Sequence, residues 1–420
     1  MRRRSSKTSM ASSSTSPSTT GRRPARSTSD RRPMRITEIR EKTVPLSSSM
    51  RNARIGFSGM TASALVIVTD LIRHGKPVVG LAFDSVGRYG HGGLLRERFI
   101  PRLLTADPED YLDETDAPDP FKVASIVMRD EKQGGHGERP GAVGLVDAAI
   151  WDLVGKLEEK PLWRVLAERR GGPVCSDPIP VYASGGHYRS DDDRARLCED
   201  LRRYRDQGYR RVKIKCRGLP LAQDLRRIEA AISVLGAAND LAVDCNGDMS
   251  RDEAATFVAA LEKLGLAWIE EPVDPLDYAL YAEIARGTDL PLATGENIFS
   301  AADTRNLLRH AGLRPDRDIL QMDISLSYGM VEYLKMLDLM EDHGWSRARC
   351  YPHAGHLFAL NVVAGLGLGC HEASPDPTSP LGGFPEGCVV ADGHVSRPEA
   401  PGVGIEAKPD LHAVFAELLP

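Results

Sequence analysis

No stretch of the 420-residue chain approaches the ~20 consecutive apolar residues that a membrane-spanning helix requires. The seven cysteines (Cys175, Cys198, Cys216, Cys245, Cys350, Cys370 and Cys388) include no Cys-x-x-Cys pair, and no secretory signal precedes them. An odd set without metal-ligand spacing argues against a disulfide framework and a zinc cluster, and for buried thiols in a reducing cytoplasm. The glycine clusters GRYGHGG and GGHGER lack the strand-turn-helix setting and the GKS or GKT ending of a phosphate cradle, so they read as loops. Acid is almost missing from residues 1–33, where nine basic residues meet the single Asp30; this +8 leaves −13 for the rest of a chain whose net charge is −5. An acidic body excludes nucleic acid as the main partner, because phosphate binding needs a basic face.

What is present is the composition of a soluble globular protein, 41% hydrophobic and 27% charged. The Ser/Thr/Arg/Pro-rich arm of residues 1–33 has too little apolar content to offset the entropy of ordering it, and is expected to be a disordered, dispensable tail, with Met34 an alternative start. The remaining length suits a barrel of roughly 250 residues plus a second domain. Residues 34–170 mix strand-like RITEIREKTV and ALVIVTDLI with a long helical run, GAVGLVDAAIWDLVGKL, and predict an α+β domain. Over 171–375 the chain becomes regular. Short apolar strands (IPVYAS, YRRVKIK, LAVDCN, AWIEEP, PLATGE, DILQMDIS, RARCYP) alternate with amphipathic helices such as DDDRARLCEDLRRYRDQ, RDEAATFVAALEKL and YGMVEYLKMLDLMEDH. That alternation specifies a parallel sheet, and seven or eight such units close into a barrel. The Pro/Gly-rich segment 376–420 is expected to pack back on the first domain. The expected fold is therefore α/β, a (β/α)7β-type TIM barrel with an N-terminal α+β capping domain completed by the C-terminal segment.

Three acids end strand-like runs at one interval: Asp244, Glu270 and Glu296 stand 26 residues apart. A strand, a helix and two loops take about that length, so successive β/α units would deliver the three carboxylates to one barrel mouth. Converging carboxylates repel unless a hard cation sits among them, and all-oxygen ligation favours Mg²⁺, with Mn²⁺ possible, over Zn²⁺. Lys213 and Lys215, two apart in VKIKC, share a strand face, and a like charge or a nearby cation lowers an amine's pKa, which points to Lys215 as a base. Asp323 follows Glu296 by 27 residues and His353 follows Asp323 by 30. A carboxylate beside an imidazole fixes its tautomer and supports its protonated form. His356 is a rival for this role, ranked second because it would already lie on the next helix.

Lys-x-Lys, then Asp, Glu and Glu, then an Asp and His dyad at barrel strand ends resembles the enolase superfamily, in its mandelate racemase/muconate lactonizing enzyme branch. The resemblance runs from about Met34 to the C-terminus and includes SSSMRNARIGF, GRYGHGGLLRERF, EKQGGHGER, DPLDYAL, ATGENIFS, SYGM, PHAGH, AGLGLG and GGFPEG. It implies Mg²⁺ ligands Asp244, Glu270 and Glu296, a base Lys215 with its partner Lys213, and an acid His353 supported by Asp323. Asn52, Lys132, His187, His356 and Glu372 are implied as substrate contacts, Lys132 as a cation for the second carboxylate of a diacid. The implied reaction is dehydration of an acid sugar, tartrate to oxaloacetate, through a metal-stabilised ene-diolate. The first domain would cap the barrel mouth with loops around 51–60 and 85–93. Four positions depart from the pattern: Val86 replaces a polar residue, His187 stands where tyrosine is usual, and Ala354 and Leu357 alter the usual Gly-Gly-His-Gln. They are expected at the pocket wall rather than at the reacting groups.

Two other readings keep the same residues. With no leaving hydroxyl, opposed Lys215 and His353 would serve as the two bases of a racemase or epimerase; a non-catalytic acid-sugar binder has no use for a poised base. The expected partners are a small acid-sugar substrate and further copies of the chain in a homo-oligomer, with no nucleic acid and no membrane.

Overall fold

The computed structural model describes residues 33–46, 51–85, 88–171, 178–189, 193–375 and 381–420. The arm expected over 1–33, apart from Pro33, lies outside the described residues, as do Val86 and Cys175. Among the described residues no helix is long and apolar enough to cross a membrane.

Alternating and β-branched residues near the start form an antiparallel sheet of β1 (Ile36–Pro45), β2 (Thr61–Arg73) and β3 (Lys76–Phe83), with β2 in the middle and buried from Ala62 to Val68. His74 and Gly75 close the β2–β3 hairpin, both with positive φ, as a two-residue turn of matching twist requires. The helix Arg139–Leu157 lies against this sheet and is buried on almost every side. Asp152 of that helix accepts the Leu81 N–H at 2.8 Å, and Asp147 accepts the Met330 N–H at 2.6 Å on the barrel side.

The regular half gives β4 (Ile179–Gly185), β5 (Arg211–Lys215), β6 (Leu241–Asp244), β7 (Ile269–Glu270), β8 (Leu292–Thr294) and β9 (Ile319–Leu320), each paired in parallel with the next. Leu320 bridges to Cys350, the Gly369 N–H reaches the Cys350 carbonyl at 3.0 Å, and β10 (His371–Ala373) pairs with β4, so the hydrogen bonds run in a circuit. The architecture is α/β, a mostly parallel (β/α)7β-type ring with an N-terminal antiparallel cap. Several expected strands shorten: AWIEEP and DILQMDIS pair over two residues each. RARCYP is not a strand, because Arg347–Arg349 form a 3-10 turn and only Cys350 bridges.

The C-terminal segment touches both halves. Val390–Ala391 (β11) and His394–Val395 (β12) make a hairpin on β4, whereas Arg40 donates to the Leu418 and Leu419 carbonyls and Val403 N donates to Asp152. Cys216, Cys245, Cys350 and Cys370 are buried, whereas Cys198 and Cys388 are half-buried, against the expectation that all are core thiols.

Candidate active site and metal centre

Register sets the site. Lys215 lies opposite Asp244, and Asp244 opposite Glu270, so β5, β6 and β7 end at one level with these side chains on the inner face. Glu296 follows β8 by two residues. Gly295 makes that step with φ +134°, and a Cβ there would stand 2.8 Å from the Gln321 amide nitrogen, so only glycine lets the chain turn Glu296 into the mouth. Asp244, Glu270 and Glu296 each offer an oxygen, all within 4.8 Å of one another. Asp244 and Glu270 are fully buried and Glu296 is partly so.

The electrostatics of this trio call for positive charge. Burial, then the neighbouring Asp244, Glu372 and Glu296, outweigh Lys213 and push Glu270 up to about 7. Asp244 is held below the usual range because Lys215 and Lys213 overcome its burial. Lys213 Nζ stands 2.6 Å from Glu270 and 3.2 Å from Glu372, and Glu270 also accepts from Gln321 Nε2 at 2.7 Å and Trp268 Nε1 at 3.3 Å. Three hard oxygen donors with one carboxyl driven toward its acid form suit a divalent ion of Mg²⁺ type.

Lys215 and His353 border opposite ends of the trio. Lys215 pairs with Asp244, and His353 Nε2 stands 3.4 Å from Glu296. Burial would lower the His353 pKa, but Glu296 and Asp323 raise it to about 10, so the ring is an imidazolium. Its Nδ1 donates to Asp323 Oδ2 at 2.9 Å, and despite burial His353 and His356 hold Asp323 well below the carboxylate range. The expected lowering of Lys215 is not what the chain alone produces. Burial acts in that direction, but Asp244 beside it wins and the amine sits above its ordinary range. A cation on Asp244 is the missing half of that expectation.

These residues open on a cavity of about 600 Å³. Its wall includes Lys215, Glu296 and His353, and also Asn52, His187, His356 and Glu372. Asn52 Oδ1 is committed to a turn, accepting from the Arg54 and Ile55 N–H groups at 2.9 and 2.8 Å. Burial, with help from Lys215, lowers His187 to about 3, so its ring is neutral. His356 caps the helix Leu357–Leu366, its Nδ1 accepting the Ala359 N–H at 3.1 Å, which leaves Nε2 facing Ser325 and Asp323. Glu372 accepts from Tyr182 at 3.2 Å and is drawn to about 2, Lys213 and His353 outweighing its burial. Lys132 is not brought here. It is exposed and absent from the cavity wall, and its carbonyl accepts from Arg139 at 2.7 Å. The cations that the cap places on the wall, besides barrel Lys215, are Arg54 and Arg88, the latter bonded to Asn297 at 2.6 Å.

Sequence reasoning passed over Glu271, Arg88 and Ser85. Glu271 follows Glu270 in a strained turn with φ +39°, is buried, and holds the Asn297 amide; burial and then Glu296 raise it well above the carboxylate range. The doubled acid of IEEP was its signal. Ser85 Oγ donates to Asp323 Oδ2 at 2.5 Å, and nothing near Ser85 in the sequence announces that contact.

Residues 196–411 match the family model described as Enolase C-terminal domain-like, and the chain belongs to the enolase superfamily, with neighbours in its mandelate racemase/muconate lactonizing enzyme branch. A 3,6-anhydro-alpha-L-galactonate cycloisomerase of Streptomyces coelicolor is 30% identical over 354 residues, covering 81% of this chain and 88% of its own. The L-talarate/galactarate dehydratase of Salmonella typhimurium is 28% identical over 327 residues, covering 76% and 74%. Among solved structures, an L-talarate dehydratase from Polaromonas sp. JS666, complexed with Mg and L-glucarate, superposes with a TM-score of 0.72 at 25% identity, covering 89% of this chain and 95% of that one. Mg²⁺ is the cofactor of this class.

Proposed function

We propose that the chain is an Mg²⁺-dependent hydro-lyase of acid sugars and that its substrate is a short diacid, D-tartrate, converted to oxaloacetate and water. The observation that carries the reading is the carboxylate trio within 4.8 Å, bordered by Lys215 at one end and by the Asp323-supported His353 at the other. The dehydratase and cycloisomerase activities of the relatives support the coarser class; the motifs GRYGHGGLLRERF, ATGENIFS and GGFPEG support tartrate.

In this reading Asp244, Glu270 and Glu296 hold the ion. Mg²⁺, when bound, withdraws charge from the substrate carboxylate and so acidifies the neighbouring C–H. Lys215, relieved of its pairing with Asp244, takes the C2 proton. His353 gives its Nε2 proton to the C3 hydroxyl, which leaves as water, and the remaining enol tautomerises to the keto acid. Asp323 keeps the His353 ring in the orientation and tautomer that this transfer needs. Asn52, His187, His356 and Glu372 form the wall around the substrate carbons, and Arg54 and Arg88 supply the cationic side that Lys132 does not reach. A screen of acid sugars for keto-acid formation tests the assignment: product is expected from D-tartrate with Mg²⁺ and none after chelation. A better aldarate or aldonate replaces the substrate, and inversion at C2 without keto acid replaces dehydration with racemisation.

A further inference from the structure

Asp323 is held from two sides. Its Oδ1 accepts the N–H groups of Ser325 and Leu326, at 2.8 and 3.1 Å, within its own loop. Its Oδ2 accepts the His353 Nδ1–H at 2.9 Å and, from the cap, the Ser85 hydroxyl at 2.5 Å. Ser85 and Asp323 are both fully buried and lie 238 residues apart. The segment that carries Ser85 is fastened at both ends to β2. Asp84 exchanges hydrogen bonds with Ser63, N to O at 3.1 Å and Oδ1 from N at 2.8 Å, while His91 N donates to Ser63 Oγ at 2.7 Å and Gly90 N to Thr61 Oγ1 at 2.8 Å.

We infer that Ser85 is a positioning residue for the Asp323–His353 dyad, so that the acid of the barrel is completed by a hydroxyl of the cap. The carboxylate plane is fixed only when both oxygens are held. The loop holds Oδ1, with His356 Nε2 3.8 Å away, and among the described residues the one hydrogen bond to Oδ2 besides that of the imidazole it must orient comes from Ser85. Groups that orient a reacting imidazole in this way typically affect its performance 10–100-fold without touching the substrate.

The inference rests on the proposed dehydration, and its test separates the two. In D₂O with Mg²⁺, exchange at C2 reports Lys215 and keto-acid formation reports His353 as well. Ser85→Ala is expected to slow keto-acid release by roughly 10–100-fold with C2 exchange almost unchanged, and Ser85→Thr to restore it. Ser85→Cys, which keeps the volume but donates weakly, gives the same split if the alanine variant does not fold. Parallel loss of both rates, or no change in either, overturns the assignment. If the unaltered protein neither exchanges nor dehydrates any acid sugar, the functional reading fails. The Ser85 role is then decided by the crystal structure of Ser85→Ala without substrate: a rotated Asp323 carboxylate and a His353 ring displaced from Glu296 support it, and an unchanged dyad overturns it.

Discussion

Two layers of the ring interior are made by the same strands and differ completely. Tyr182, Ala242, Trp268, Ala293, Ile319 and Cys370 pack together as a small apolar cluster. Two residues further along three of these strands, on the same inward face, stand Asp244 after Ala242, Glu270 after Trp268 and Glu372 after Cys370. The lower layer is closed by packing, while the upper one is crowded with carboxylates that Lys213 and Lys215 only partly neutralise. A parallel strand can thus divide stability from chemistry within about 7 Å of its length.

The sharpest way to break this comparison is to truncate one residue in each layer. Lys215→Ala is expected to lower C2 exchange and keto-acid formation by roughly 10²–10⁴-fold, the usual worth of a positioned base, with little change in denaturant unfolding of the Mg²⁺-loaded protein. Ile319→Ala is expected to do the reverse, costing ~2–5 kcal/mol of stability while turnover at a permissive temperature stays within a few-fold. If the two variants show the same ratio of activity loss to stability loss, the layers are not separate.

The trio and the dyad were legible because each β/α unit has nearly constant length, so chemistry at strand ends recurs at 26 to 30 residues. The limits of the strands were not legible, since an apolar run such as AWIEEP records burial and not where the ladder stops. Ser85 was invisible for another reason: its partner is set by how the cap meets the barrel, and no local pattern encodes a contact across 238 residues. Lys132 shows the opposite risk, because its place came from resemblance alone and the chain turns it to solvent.

A buried carboxylate outside the charged layer sharpens the contrast. Asp147, on the helix Arg139–Leu157, is held by the Met330 N–H rather than by a lysine, and burial pushes it up to about 7. An acid whose pKa is raised on folding favours the folded state fully below its unfolded value, near 4, and loses that contribution as pH rises through about 7. Stability is therefore expected to decline between those limits by an amount on the order of a few kcal/mol, and Asp147→Asn, which keeps the acceptor, should remove this part of the decline. Unfolding curves of the two proteins across that range that remain parallel would show Asp147 already ionised in the fold.

The smallest effect lies beside the acid itself. Ala354 follows His353 on the cavity wall with φ +82°, a conformation that costs an L-residue about 1–2 kcal/mol and that glycine adopts freely. Ala354→Gly relieves that strain but adds freedom to the unfolded chain worth about 0.4–1 kcal/mol, which leaves a net gain of roughly 0.5–1 kcal/mol. Denaturant unfolding measures that gain directly. A loss of stability instead would mean that the Ala354 methyl is packed in the wall. The substitution would then enlarge the pocket, and the range of acids accepted should widen with it.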